Sequence, residues 1–264
     1  MTEIVNNPEY DKLIASIQEL ETELADLVFD RDKLLYHTCP ILQMEYMLKI
    51  GKLEYAVFEY QCKILCAKRK IEIIQAFLNR EQSYKIEEIE QQLDKEYQEY
   101  TQKLLEKQKE IDEARFKKSN HRGFLSDEES TELKKLYTYI VKKLHPDINP
   151  NTTEEQHAQF NDAVNAYKNG DLSELRIIYM LLDKVSVTDT TIEKLQSRKE
   201  ALLNEVHFLA GEIRKLKEAF PYCIKDLLQN EDDLQKKVDE LSTMLSELRE
   251  QHENIKNRLD SMIQ

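Results

Sequence analysis

Apolar residues recur at intervals of three and four along most of this chain. They fall at Leu13, Ile17, Leu20, Leu24, Leu27 and Leu34. They fall again at Ile86, Ile89, Leu93, Tyr97, Tyr100, Leu104 and Ile111, and a third time at Ile192, Leu195, Leu202, Val206, Leu209, Ile213, Leu216 and Phe220. A fourth run, Leu227, Leu234, Val238, Leu241, Leu245, Leu248, Ile255 and Leu259, follows Pro221 with its register shifted. This spacing is the seam of a coiled coil and predicts long helices. The stretch 41–79 is different: it is too apolar for a single seam and must be covered on two or more sides.

Helix punctuation divides the pattern. Asn7-Pro8 reads as a helix start, with a capping residue before a proline at the first helical position. Pro40 predicts the end of that helix near Thr38, because a residue before proline avoids the α region. Residues 41–117 contain no proline and one glycine, Gly51, so they read as one helix or as two interrupted near Asn79. Ser119 to Leu125 is a break. Ser126 with Glu129, and Thr153 with Gln156, are capping boxes; Asp171 with Glu174 is the acidic form of the same device. Asn169-Gly170 is a helix stop. Three short helices follow, over 127–144, 154–169 and 172–184. Lys199, Glu231 and His252 interrupt the C-terminal seams, where polar residues fix register or partner choice.

The predicted fold class is therefore all-α: a long antiparallel coiled coil or helical bundle with a small helical unit inserted. The predicted domains are an N-terminal helical region over 8–117, a compact unit over 123–184 and a C-terminal coiled coil over 188–264. The two arms, 41–117 and 188–264, are equal in length, which suggests an antiparallel hairpin with the small unit at its tip and helix 9–38 folded back at Pro40 beside 41–70. If Pro40 and Pro221 both reverse the chain, the result is a shorter, thicker bundle.

Composition narrows the function. Only 4 of 264 residues are glycine and 5 are proline, too few for the turns of a β-rich fold. The formal net charge of −13 argues against nucleic acid as a partner of the whole chain, since phosphate affinity needs clustered Lys and Arg. No apolar run is long enough for a membrane span and none at the start reads as a signal peptide, so the expected location is cytoplasmic. Cys39, Cys62, Cys66 and Cys223 form no CxxC pair and read as reduced, metal-free thiols. His37, His121, His157, His207 and His252 are isolated. The chain lacks a glycine-rich phosphate loop, a GxSxG elbow, an HExxH run and a Cys/His zinc pattern, so no enzyme activity and no cofactor are expected.

One short segment carries more information. His145-Pro146-Asp147 falls where the helix 127–144 should stop, and Leu133 to Leu144 before it carries Lys134, Lys135, Lys142 and Lys143. Tyr137 stands eight residues before His145, and Phe160 is followed six and seven residues later by Ala166 and Tyr167. Together these residues resemble the second helix, loop and third helix of a J-domain, the signature module of DnaJ-type co-chaperones, over about residues 123–170. Gly123 to Ser126 echoes the turn that precedes the second helix in that family. No Tyr-Tyr first helix lies ahead of it, so the end of the long helix or helix 172–184 is expected to take that helix's place in the packing. Thr138 and Tyr139 stand where the family commonly has Lys or Arg.

The resemblance implies a function. His145, Pro146 and Asp147 would be the trigger that an exposed loop presents to a DnaK-type chaperone, and Lys134, Lys135, Lys142 and Lys143 would dock on that partner's acidic surface. Leu133, Leu136, Tyr137, Ile140, Leu144, Phe160, Ala163, Ala166 and Tyr167 would be the small unit's core. The chain would recruit the chaperone and stimulate its ATPase, and the coiled coil would bind a client of unknown identity or a second copy of the chain. The alternative is a structural coiled-coil adaptor whose J-like fold no longer couples to a chaperone.

Overall fold

A computed structural model describes residues 8–120, 126–182 and 191–263. Every regular element among them is helical, and no strand occurs among the described residues. In order they are α1 (Pro8–Lys33), α2 (Cys39–Tyr46), α3 (Lys52–Asn79), α4 (Ile86–Glu96), α5 (Gln98–Asn120), α6 (Asp127–Leu144), α7 (Glu154–Asn169), α8 (Leu172–Leu182), α9 (Ile192–Glu218), α10 (Lys225–Gln229) and α11 (Glu231–Ile263). No helix among the described residues is long and apolar enough to cross a membrane.

Pro40 does not end the first helix. A π-helical turn, Leu34–Thr38, joins α1 to α2, and a second, Met47–Gly51, joins α2 to α3. In the first, the Cys39 N–H reaches back five residues to the Leu34 carbonyl. The extra residue widens the turn just where the proline ring would press on the preceding carbonyls, so the helix absorbs a residue that would otherwise break it. Pro40 thus lies inside helical backbone, one residue into α2. The interruption near Asn79 is present: α3 stops there, Glu81 takes a positive φ of 53°, and helix resumes at Ile86. Asn7 and the turn residues Gly123, Phe124 and Leu125 lie outside the described residues.

The chain forms two compact units, each made of two stretches: 1–40 with 122–223, and 41–121 with 224–264. The second unit is built around α3. The ring pair Phe77–Tyr84 and the ion pairs Lys70–Glu90 (2.7 Å) and Arg69–Glu96 (3.1 Å) show α4 running back along α3, and Phe58 against Tyr100 carries the antiparallel pairing into α5. On α11, Arg249 and His252 meet Tyr60, while Leu259 and Met262 pack beside Ile73 and Ile74. Numbers rise together, so α3 and α11 are parallel. The antiparallel neighbour of α3 is α4–α5, where the sequence suggested the C-terminal arm. Cover from both sides explains why 41–79 is apolar on more than one face.

The first unit gathers α1, α6, α7, α8 and α9 around one core. It contains Leu24, Val28 and Phe29 from α1, Tyr137, Ile140 and Leu144 from α6, Ala163 and Tyr167 from α7, Leu175 from α8, and Leu202 and Leu209 from α9. Helices α1 and α9 are again parallel, since Glu21 pairs with Arg198 and Arg31 acts on Glu205 further along. The segment 127–182 packs against α1 and shares its core with α9. The local signals of the sequence hold. Both capping boxes form, the Glu174 N–H donates to Asp171 Oδ1 at 3.1 Å, and Gly170 takes the left-handed φ of 67° that stops α7.

The centre of this core is aromatic and polar. Tyr137 and Tyr167 stack with centroids 4.2 Å apart, Phe29 meets Tyr167 edge-on, and the Tyr137 hydroxyl donates to Asp32 Oδ2 at 2.5 Å. Asp32 is 1% exposed and is also paired with Arg31 at 2.9 Å. Tyr137→Phe keeps the stack but removes a donor from a buried carboxyl, and urea unfolding should show a loss of about 1–3 kcal/mol. The four cysteines are free thiols; burial raises the thiols of Cys39, Cys62 and Cys66 above their ordinary range, while Cys223 is exposed. Alkylation at neutral pH followed by peptide mapping should find Cys223 modified first, because the thiolate is the reactive form.

Candidate functional site

Helix α6 ends at Leu144, and the chain turns sharply through the next five residues. The N–H groups of Ile148 and Asn149 both donate to the His145 carbonyl, at 3.1 and 2.8 Å. Asn149 Nδ2 donates to the Lys142 carbonyl at 3.0 Å and so closes the C-terminal end of α6. Pro146 fixes its own φ and restricts His145 to the extended region, where it lies at φ −62° and ψ 131°. These local bonds make the His145-Pro146-Asp147 turn a rigid object.

The imidazole is not displayed as the sequence suggested. His145 is only 7% exposed, with its ring edge-on to Phe160 at 5.1 Å. Its Nδ1 accepts the Asp147 N–H at 3.2 Å and lies 3.5 Å from Asp147 Oδ2. An accepting Nδ1 belongs to a neutral ring with its proton on Nε2. Burial lowers the pKa of this histidine from the ordinary value near 6.5, against the opposing pull of Asp147. Asp147, with its side chain 44% exposed, is the part of the motif that reaches water. The reason for the difference is the company the turn keeps: α1 and α9 both lie against it, long-range contacts that no local pattern announces.

The neighbours are specific. Arg198 on α9 donates from Nη2 to the Ile148 carbonyl at 3.1 Å and to Glu21 on α1. Glu205, two turns along α9, sets its carboxyl near that of Asp147, and burial together with that second carboxyl raises its pKa above the ordinary value. Arg31 from α1 faces both His145 and Glu205.

The four lysines of α6 do not share one open face. Lys142 Nζ donates to Thr22 Oγ1 on α1 at 2.7 Å, and Lys134 lies 5.1 Å from the Phe29 ring. Lys143 sits 5.8 Å over Tyr139, whose ring meets Tyr179 of α8, and Lys135 is exposed. Lys142 thus leans on α1, while Lys134, Lys135 and Lys143 are exposed to solvent, Lys134 with its ammonium near the Phe29 ring. The core residues expected around them are in place: Leu133, Tyr137, Ile140, Leu144, Ala163, Ala166 and Tyr167 are buried, and Leu136 and Phe160 pack against that core. Helices α1 and α8 both pack on α6.

Sequence reasoning missed Glu21, Asp32, Arg198 and Glu205. A signal for Asp32 exists, since Leu24, Val28 and Asp32 form one row at spacing four, which carries the acid into an apolar stripe. Arg198 and Glu205 similarly fall beside Leu195, Leu202 and Leu209 on one face of α9. Among the described residues no group of three or more His, Cys, Asp or Glu side chains is arranged to hold a metal ion. No protein-family model matches the chain, and neither does any curated protein or solved structure.

The lowered pKa of His145 has a pH consequence. As pH falls below about 6.5, the unfolded chain takes up a proton that the folded state resists, so stability present above that pH is lost on acidification. His37, half-buried with Nε2 3.2 Å from the Tyr167 carbonyl, is shifted in the same direction. Chemical denaturation between pH 5 and pH 7.5 should show a slope that flattens in part in His145→Gln and further when His37→Gln is added.

Proposed function

We propose that this chain is a J-domain-type co-chaperone that recruits a DnaK-type chaperone and stimulates its ATPase, and that it works in the cytoplasm without catalytic activity of its own. What carries this reading is the His145-Pro146-Asp147 turn, held rigid between two antiparallel helices whose facing tyrosines, Tyr137 and Tyr167, stack in the core. Asp147 and the solvent-facing Lys134, Lys135 and Lys143 would make first contact, because they are the exposed members of the set. Lys142 would contribute charge from the edge beside α1. Pro146 would keep the turn in shape, and His145 would brace it from within through its bond to the Asp147 N–H. The remaining helices would serve a client or a second copy of the chain.

A second reading has an observation of its own. The burial of His145 and the contacts of Arg198 and Glu205 with the turn favour a structural adaptor in which the motif has become part of a helical core.

The two readings separate in one assay. Single-turnover ATP hydrolysis by the DnaK-type chaperone of the same cell should accelerate on adding this protein, and His145→Gln or Asp147→Asn should abolish the acceleration while circular dichroism stays unchanged. The acceleration should weaken as salt rises from 50 to 300 mM, because the docking charges are exposed. Equal acceleration by the wild type and both variants would reject the trigger assignment. No acceleration at any salt concentration would favour the adaptor.

A further inference from the structure

The face of α9 that meets the turn is unlike the rest of that helix. Leu195, Leu202 and Leu209 are buried in the common core, and such apolar contacts need no polar partner. Between them, the two residues that touch the turn each carry an unfavourable feature. Arg198 grips the Ile148 carbonyl and Glu21 through Nη2, but its Nε is buried without a hydrogen-bond partner. Glu205 sets its carboxyl against that of Asp147, an arrangement that bonds only while one of the two holds a proton. Glu212 adds a further negative charge from α9 itself, and Arg31 of α1 supplies the compensating positive one. An unsatisfied donor and a pair of facing acids weaken the polar hold of this stretch on the turn, which leaves Leu202 and its neighbours to keep it in place.

We propose that this stretch of α9 is a built-in cover over the His145-Pro146-Asp147 turn, held shut by Arg198 and loosened by Glu205, and that a protein partner reaches the turn fully only when the stretch lifts away. Arg198 is the catch because it alone binds the turn's backbone from α9 with a charge-assisted hydrogen bond. Glu205 is the counterweight because it repels Asp147 whenever both are ionised. The partner's identity rests on the reading under Proposed function; the cover does not.

Two substitutions pull the cover in opposite directions. Arg198→Met keeps the bulk of the side chain and removes the catch. Glu205→Gln replaces a repelled carboxylate with an amide that donates to Asp147 at any pH. Hydrogen–deuterium exchange on the full chain at pH 7.5 should show the peptide 144–150 taking up deuterium about tenfold faster in Arg198→Met and severalfold slower in Glu205→Gln, while peptides from 133–141 exchange as in the wild type. Stimulation of the chaperone should rise in the first variant and fall in the second. If 144–150 exchanges at the wild-type rate in both variants, α9 is not a cover. If exchange responds as expected but Arg198→Met stimulates no more than a stimulating wild type, the cover does not restrain the site and the proposal fails. If exchange responds and neither the wild type nor any variant stimulates, the cover stands and the co-chaperone reading falls. Should Arg198→Met unfold, the slower exchange required of Glu205→Gln still decides.

Discussion

The hydrogen bond from Tyr137 to Asp32 is the constraint on which the first unit depends. It joins two residues 105 positions apart and sits where almost no water reaches. Apolar side chains tolerate a slip of one helix along another, since any seam residue can replace its neighbour at modest cost. A buried carboxyl does not: moved away from its donor, it loses a hydrogen bond where water cannot replace it, which costs about 1–3 kcal/mol. The bond therefore fixes which turn of α1 faces α6. Because α9 pairs with α1 through Glu21 and Arg198, it also fixes which turn of α9 reaches the loop after α6.

The state of the candidate site follows from that register. With Asp32 and Arg31 held beside Tyr137, the ring of His145 is buried against Phe160 of α7 on the side of α1. Enclosure favours the neutral imidazole, and the neutral imidazole can accept the Asp147 N–H, which in turn shapes the loop. The motif is thus tied to the core from behind while its acid points outward. A site built this way is rigid because its least mobile residue is the one in the middle of it, and any protein that reads the loop must read a surface to which α9 also contributes.

Much of this unit could be read from the chain, and the reason is locality. The bounds of α6 and α7, the capping boxes at Ser126 and Thr153, the acidic cap at Asp171 and the stop at Gly170 are chemistry between residues three to five apart, so the sequence contains both partners. What could not be read is everything that depends on direction or distance. A repeat of threes and fours looks the same in a parallel and an antiparallel pair, so nothing in the seams of α3 and α11, or of α1 and α9, announced that they run in the same sense. Pro40 failed as a helix stop because a π-turn upstream makes room for it, and such a turn has no sequence signature beyond the residue it accommodates. Glu21, Arg198 and Glu205 sit in stretches that read as ordinary coiled coil, and their roles exist only once α1 and α9 are laid against the turn.

Charge sets the last link between this fold and a partner. The chain as a whole is strongly acidic, which would repel an acidic partner surface if every charge were felt equally. Screening prevents that, because at physiological salt a charge acts over about 8 Å, so a partner approaching α6 feels mainly what lies on and beside it. Close by are Lys134, Lys135 and Lys143 in the open, Lys142 at the border with α1, and the carboxyls of Asp147 and Glu205 at the far end. Around the loop the local field is therefore a dipole, positive along the 134–143 stretch of α6 and negative at the loop, with the acidic first turn of α6 further off, rather than a uniform basic patch. A dipole orients what it binds as well as attracting it, and it is steepest where α9 adds its own carboxyl. Moving Glu205 away would reduce the negative pole to Asp147 alone, so the helix that covers the loop also sets the electrostatic pattern that a partner meets there.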